Sequence, residues 1–185
     1  MEYLVRDLMV PLSEYATVSV GSTLFQAVLA LEKVQEQYDH SKYNHRAILV
    51  MDKNKRVVGK LSQLDVLKAI LSGDKKMDEV EEISRFGFSP NFIAFIRELY
   101  RLKGRHLKEI CSEPAQMPVE NFMQTPSAGE HIEADASLEN AIYHLSLGPY
   151  LSLLVTEKGA IVGILRLSDV FAAVFHAMKE NENSN

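Results

Sequence analysis

Two short motifs, each ending in an aspartate, contain the residues of this chain that are best suited to binding a ligand. Ser62 stands three residues before Asp65, and Arg166 stands three residues before Asp169. A serine followed by an acidic residue at this spacing is a variant of the capping box, in which the hydroxyl satisfies an orphan amide at a helix start. An aspartate there also suits the helix dipole, which favours a nearby anion. The first motif therefore predicts a helix start that caps itself, contacts a ligand, or does both.

Arg166 departs from this pattern, because arginine is a poor N-cap. Either the cap has moved to Ser168, or the Arg166 guanidinium binds a phosphate, to which its planar set of donors is suited. A solvated arginine is the simpler interpretation, and the motif alone leaves these alternatives open.

Motifs of catalysis and of metal binding are missing from the sequence. There is no P-loop, no dinucleotide-binding glycine turn, no nucleophile elbow and no zinc-protease helix motif. Asp39, His40 and His45 are neighbours, but their spacing matches no standard metal site. We therefore predict that the protein is not an enzyme and binds no metal.

Composition excludes several classes of partner. The formal net charge of −5 argues against a general nucleic-acid or membrane-surface binder, because both need a basic field. Cys111 is the only cysteine, so no intrachain disulfide forms and a reducing compartment fits best. No apolar run reaches transmembrane length, and residues 1–9 lack the core of a signal peptide. We expect a cytoplasmic protein with neither a nucleic-acid nor a membrane partner.

An internal repeat organises the elements that must position the two motifs. Residues 5–9 resemble residues 119–123, and residues 57–66 align with residues 161–170. The first copy is longer, with the extra residues around 35–44. Each copy predicts the order β-α-β-β-α, with helices over 24–34, 65–71, 138–147 and 169–178 and strands over 16–20, 47–51, 56–61, 130–134, 151–155 and 160–165. One such unit would leave a sheet face wet, and two units packed together would bury it.

A segment without a counterpart separates the copies. Ser89 and Pro90 are typical of a helix start, with a cap followed by proline at the first helical position. The predicted helix has an apolar side that packs on the repeats or docks a partner; it consists of Phe92, Ile93, Ile96, Leu99, Tyr100 and Leu102.

The repeat resembles the cystathionine-β-synthase-type (CBS) domain family, whose signature is a glycine, then Ser/Thr, then aspartate, each three residues apart. Gly59, Ser62 and Asp65 match it fully, whereas the second copy has Arg166 at the Ser/Thr position. The resemblance implies an α+β fold of α/β type: a tandem pair of β-α-β-β-α CBS repeats with pseudo-two-fold symmetry. The expected boundaries are 1–72 for the first repeat, 73–118 for a helical insertion, 119–180 for the second repeat and 181–185 for a disordered tail.

The same resemblance implies two clefts that bind an adenosine-containing ligand: AMP, ADP, ATP or S-adenosylmethionine. The aspartate would accept hydrogen bonds from both ribose hydroxyls, since a carboxylate is an acceptor-only group. Basic residues before the central strand would reach phosphates, and Tyr150 would stack on adenine or simply pack. The implied ligand-binding residues are Thr17, Val18, His45, Arg46, Ala47, Ser62, Asp65, His131, Ile132, Tyr150, Leu151, Arg166 and Asp169. For Val18 and Ile132, core packing is the competing interpretation.

Family resemblance also implies a regulatory role, in which the ligand acts through its different affinities for two states of the pair. No cofactor is expected, and we expect a homodimer that signals to a separate effector protein. The alternative is a ligand-independent module for dimerisation or assembly. Because the two clefts differ chemically, only one of them is expected to be occupied, and the sequence does not indicate which.

Overall fold

The structure is a computed structural model that describes residues 3–37, 44–72, 89, 91, 92, 94, 95 and 106–182. Its helices are α1 Val5–Leu8, α2 Leu24–Gln37, α3 Gln63–Ser72, α4 Leu107–Gln116, α5 Leu138–Leu147 and α6 Leu167–Glu182. Its strands are β1 Val10–Pro11, β2 Thr17–Ser19, β3 Ala47–Met51, β4 Val57–Ser62, β5 His131–Glu133, β6 Ser152–Glu157 and β7 Ala160–Arg166. Three single 3₁₀ turns span Leu12–Glu14, Val119–Asn121 and Ala128–Glu130.

The predicted order β-α-β-β-α is confirmed in both halves. In the first half β2 and β3 are parallel and are connected by α2, and β3 and β4 form an antiparallel hairpin. In the second half β5, α5, β6 and β7 repeat this arrangement. The helix starts follow local chemistry, since Thr23 and Gln26 exchange side-chain to backbone hydrogen bonds and the Ser137 hydroxyl accepts from Asn140 N at 3.3 Å. Periodicity and capping residues therefore determine the elements that hold the two aspartate motifs.

The halves exchange their leading segments. Strand β1 leaves the first half and pairs antiparallel with β7, which makes a four-stranded sheet β1-β7-β6-β5 beside the three-stranded sheet β2-β3-β4. Val5 N donates to the carbonyl of Ala136 at 2.9 Å, and reciprocally Val119 N donates to that of Ser22 at 2.9 Å. Val5 and Val119 are both fully buried, each in the core of the opposite half. Each leading segment therefore packs in the half that it does not precede in the chain.

This exchange explains the signature glycines. A methyl group at Gly163 would lie 2.6 Å from the Val10 carbonyl oxygen of β1. At Gly59 it would meet the side chain of Met123, which belongs to the segment that crosses in the other direction. Glycine is therefore needed at position 163, where the exchanged backbone lies directly against β7, whereas at position 59 the neighbour is a side chain.

Besides the core of each half, a third buried cluster is formed by both sheets together. Val10, Leu49, Leu154 and Ile164 are buried together in a cluster that draws on both halves. Leu49 and Ile164 are completely inaccessible to solvent, as expected for strands covered on both faces. Pairing thus buries the sheet face that a single repeat would leave wet.

The segment between the halves is described only in part. Residues 91, 92, 94 and 95 are helical, and Ser89 Oγ accepts from Phe92 N at 3.2 Å, as an N-cap does. The remaining members of the predicted apolar side, Ile93, Ile96, Leu99, Tyr100 and Leu102, lie outside the described residues, as do Asp39 and His40. Further along, α4 packs against α2 and α3.

Candidate functional site

The first aspartate motif lies where β4 ends and α3 begins. Ser62 is the last residue of β4 and pairs with Ala47 at the start of β3, and Gln63 N donates to the Arg46 carbonyl at 3.0 Å. Arg46, Ala47, Ser62 and Asp65 therefore lie together at one end of the sheet. Thr17 and Val18 lie one strand further away, on β2.

In the described structure, both carboxylate oxygens of Asp65 accept hydrogen bonds from other groups of the protein. Ser62 donates twice to Oδ2, from its backbone N at 2.8 Å and from its hydroxyl at 2.5 Å. The Ser62 hydroxyl in turn accepts from Asp65 N at 3.2 Å, which completes the capping box. Gln124, from the segment that crosses over from the second half, donates its side-chain amide to Oδ1 at 2.7 Å.

These donors keep the Asp65 carboxylate charged. Burial raises the pKa of this carboxyl, since only 6% of the residue is exposed. The hydrogen bonds from Ser62 and Gln124 act in the opposite direction and outweigh burial, so that the net pKa lies below the ordinary value. The site therefore holds an ionised acceptor at the start of a helix.

The second motif forms an ion pair instead of a cap. Arg166 Nε donates to Asp169 Oδ2 at 2.6 Å, and a terminal guanidinium nitrogen donates to Oδ1 at 2.7 Å. The side chains of Arg166 and Asp169 are 7% and 14% exposed. Arg166 closes β7, where it pairs with Ser152, and the Leu151 carbonyl accepts from Leu167 N at 3.0 Å. Arg166 is thus not a solvated surface residue, and Asp169 engages two of its guanidinium nitrogens in this structure.

His45 belongs to the first half but lies beside the Arg166–Asp169 pair of the second. It is fully buried, and its ring meets that of Tyr15 edge-on, with centroids 4.5 Å apart. Burial, followed by the charge of Arg166, lowers the pKa of His45 to about 4, although Asp169 acts in the opposite direction. His45 is therefore neutral at physiological pH, in contrast to its expected role as a basic phosphate ligand. Its neighbour Arg46 is exposed to solvent.

Tyr150 and His131 both contact Ser127. The Tyr150 hydroxyl lies 2.8 Å from Ser127 Oγ, and His131 Nδ1 lies 2.9 Å from the Ser127 carbonyl oxygen. The Tyr150 ring packs over Gly148, where a methyl group would clash with it. Ile132 is buried in the core of the second half, and Leu151 is 71% exposed.

Three residues near the two aspartate motifs belong to no recognisable sequence motif. Gln124 reaches Asp65 across the halves, and Tyr15 packs against His45. Lys60 forms a largely buried ion pair with Glu130 of the other half. The only local signal is that Lys60 is a charged residue in an otherwise apolar strand.

Other kinds of site are not evident. The described part of the chain has no group of three or more His, Cys, Asp or Glu side chains placed to hold a metal ion. Among the residues described, no helix combines the length and apolar composition that a membrane crossing requires. A groove between α5 and α6 is lined by apolar side chains that include Leu138, Ile142 and Ala173, and none of the predicted site residues lines it.

Comparison with known proteins agrees with this architecture. The family model of the CBS domain matches residues 5–72 and 119–176. A putative acetoin utilization protein (AcuB) from Vibrio cholerae is 19% identical over 100% of this chain and 99% of its own, with a TM-score of 0.60. A CBS domain-containing protein of unknown function from Bacillus anthracis str. Ames Ancestor is 19% identical over 94% of both chains, also with a TM-score of 0.60.

A third solved structure carries a ligand. It is CBSX2 in complex with AMP, and it is 17% identical over 95% of this chain and 98% of its own, with a TM-score of 0.54. Among curated proteins, no relative matches the chain. At these identities the solved structures establish the fold.

Proposed function

Because this chain belongs to the CBS domain family, we propose that it is a regulatory module that binds an adenosine-containing ligand and signals to a separate effector protein. The observation that carries the proposal is the ionised Asp65 carboxylate at the start of α3. The AMP complex of CBSX2, a protein of the same fold, supports the choice of ligand class.

The chemistry of the first motif suits a nucleoside. Two neighbouring ribose hydroxyls offer two donors, and a carboxylate accepts both. The N-terminus of α3 favours an anion beside it, and the exposed Arg46 lies at the same end of the sheet to attract a phosphate. AMP, ADP, ATP and S-adenosylmethionine share this ribose and bring different charges. No cofactor is needed, and the single cysteine favours a cytoplasmic location.

Thermal unfolding with each of these ligands tests the proposal. A ligand at a hundred times its Kd should stabilise the fold by about 2.7 kcal/mol. Asp65→Asn should weaken the effect, because an amide is a poorer acceptor for the ribose hydroxyls. Asp135→Asn, in an exposed turn, is the matched control and should respond like the wild type. If no ligand raises the midpoint at millimolar concentration, the proposal fails.

Two exposed apolar helix faces support a homodimer as part of this proposal. Leu67 on α3 and Phe171 on α6, which occupy equivalent positions in the two repeats, are 59% and 66% exposed. Phe175 and Met178 extend the face on α6. Apolar groups of this size at equivalent positions fit a two-fold interface with a second copy.

The same faces also favour the second candidate function, a ligand-independent assembly module. Sedimentation should detect a dimer that Leu67→Glu combined with Phe171→Glu converts to monomer, whereas Lys53→Glu, in the exposed turn between β3 and β4, leaves it intact. A dimer that is insensitive to every adenosine ligand would favour assembly over sensing. A monomeric wild type would refute both the assembly function and the proposed homodimer.

A further inference from the structure

At each motif, a side chain of the protein competes with an incoming ligand for the aspartate carboxylate. This side chain differs between the two motifs. At Asp65 the backbone N and the hydroxyl of Ser62 hold Oδ2, and the competitor at Oδ1 is the side-chain amide of Gln124, a neutral donor on an exposed residue, at 2.7 Å. At Asp169 it is the guanidinium of Arg166, which holds both oxygens at 2.6 and 2.7 Å. A ligand that approaches these oxygens along the same directions has to displace those donors first.

Displacement is easier at Asp65. A hydrogen bond from a neutral amide to a carboxylate contributes roughly ten- to a hundredfold to an equilibrium, and the released Gln124 amide finds water at the surface. Breaking a largely buried ion pair costs roughly a hundred- to a thousandfold, because one charge remains without its partner. A ribose diol supplies neutral donors, which replace an amide well and a guanidinium poorly. The ligand should therefore bind more tightly at the first motif than at the second, although the two motifs are otherwise similar.

Only the side chain of Gln124 has to move. Its backbone is held against β4, since Lys60 N donates to the Gln124 carbonyl at 2.9 Å and Gln124 N donates to that of Lys60 at 2.8 Å. The Lys60 side chain is in turn anchored on Glu130 of the second half. Rotation of the Gln124 side chain therefore frees Asp65 Oδ1 without separating the halves.

We propose that Gln124 is a gate on Asp65 and that the chain binds one adenosine ligand, in the first repeat, while Arg166 keeps Asp169 closed. This inference rests on the proposed function and names the occupied cleft and the residue that sets its affinity. Gln124 is a positioning residue in the free protein, and the ligand replaces its hydrogen bond.

Isothermal titration with AMP tests this inference, with ATP and S-adenosylmethionine as further arms. The wild type should bind one ligand per chain. Gln124→Ala should tighten binding up to about a hundredfold at unchanged stoichiometry, because the competing donor is gone. Gln116→Ala, at the exposed end of α4, is the matched control and should bind like the wild type.

Arg166→Ser gives the second motif the same serine and aspartate as the first, and it should add a second binding equivalent. Asp65→Asn should weaken wild-type binding, whereas Asp169→Asn should leave both the affinity and the stoichiometry of one unchanged. These two substitutions decide the question if Arg166→Ser does not fold, which its circular dichroism melt reveals.

Three results overturn the inference while the proposed function stands. They are two equal sites in the wild type, loss of binding on Asp169→Asn alone, and an affinity that Gln124→Ala leaves unchanged or weakens. No binding of any of the three ligands to the wild type or to Gln124→Ala would instead refute the proposed function itself, and the gate with it.

Discussion

Burial of the His45 imidazole makes the stability of the fold depend on pH over a defined range. The ring is fully buried beside Tyr15, Arg166 and Asp169. Its pKa is lowered from 6.5 in the unfolded chain to about 4 in the fold. Between these pH values the unfolded state binds more protons than the folded state. The contribution of His45 to the free energy of unfolding is therefore fully present above pH 6.5 and decreases as the pH is lowered toward 4. Integration from pH 7 to pH 5 gives a loss of about 2 kcal/mol.

Urea denaturation followed by circular dichroism measures this loss directly. The wild type should lose about 2 kcal/mol between pH 7 and pH 5 in addition to whatever other groups contribute. His45→Leu removes the titrating ring, so it should lack this part of the loss even if its overall stability changes. His176→Leu is the control, because His176 is exposed near the end of α6 and should keep the wild-type dependence.

Two outcomes would refute this reasoning. One is an equal pH dependence of the wild type and His45→Leu. The other is an NMR titration in which the folded His45 changes protonation near its ordinary pKa, since a ring enclosed beside the Arg166 guanidinium cannot gain a proton that easily.

Two further predictions concern the contacts that join the halves. Gly163→Ala should lower the free energy of unfolding by about 1–3 kcal/mol, and by more than Gly59→Ala. A methyl group at Gly163 meets the Val10 backbone at 2.6 Å, whereas one at Gly59 meets a flexible methionine; equal losses would contradict this. Lys60→Met should cost roughly 3 kcal/mol, because Glu130 stays buried without its cation. Adding Glu130→Gln should recover part of the loss in the same urea assay, and a double variant less stable than Lys60→Met would oppose the argument.

Local patterns in the sequence were sufficient to predict the repeat, the order of its elements and the helix start at Ser62. Capping residues and apolar periodicity act within a few positions of each other, so they can be read without knowing the fold. The capping interpretation of Ser62 and Asp65 is present in the structure, and it leaves the ligand-binding interpretation open because the same carboxylate serves both.

Tertiary structure alone decided which residues meet across the halves. The exchange of leading segments brings Gln124 to Asp65 and β1 to Gly163, and the packing of the two halves brings His45 beside Arg166, although these residues are far apart in the chain. Hydrogen bonds and ion pairs of this kind depend on how two sheets pack, and no local periodicity encodes their partners. Two aspartates that look alike in the sequence therefore differ in the fold, one held by a neutral amide and the other by a buried guanidinium.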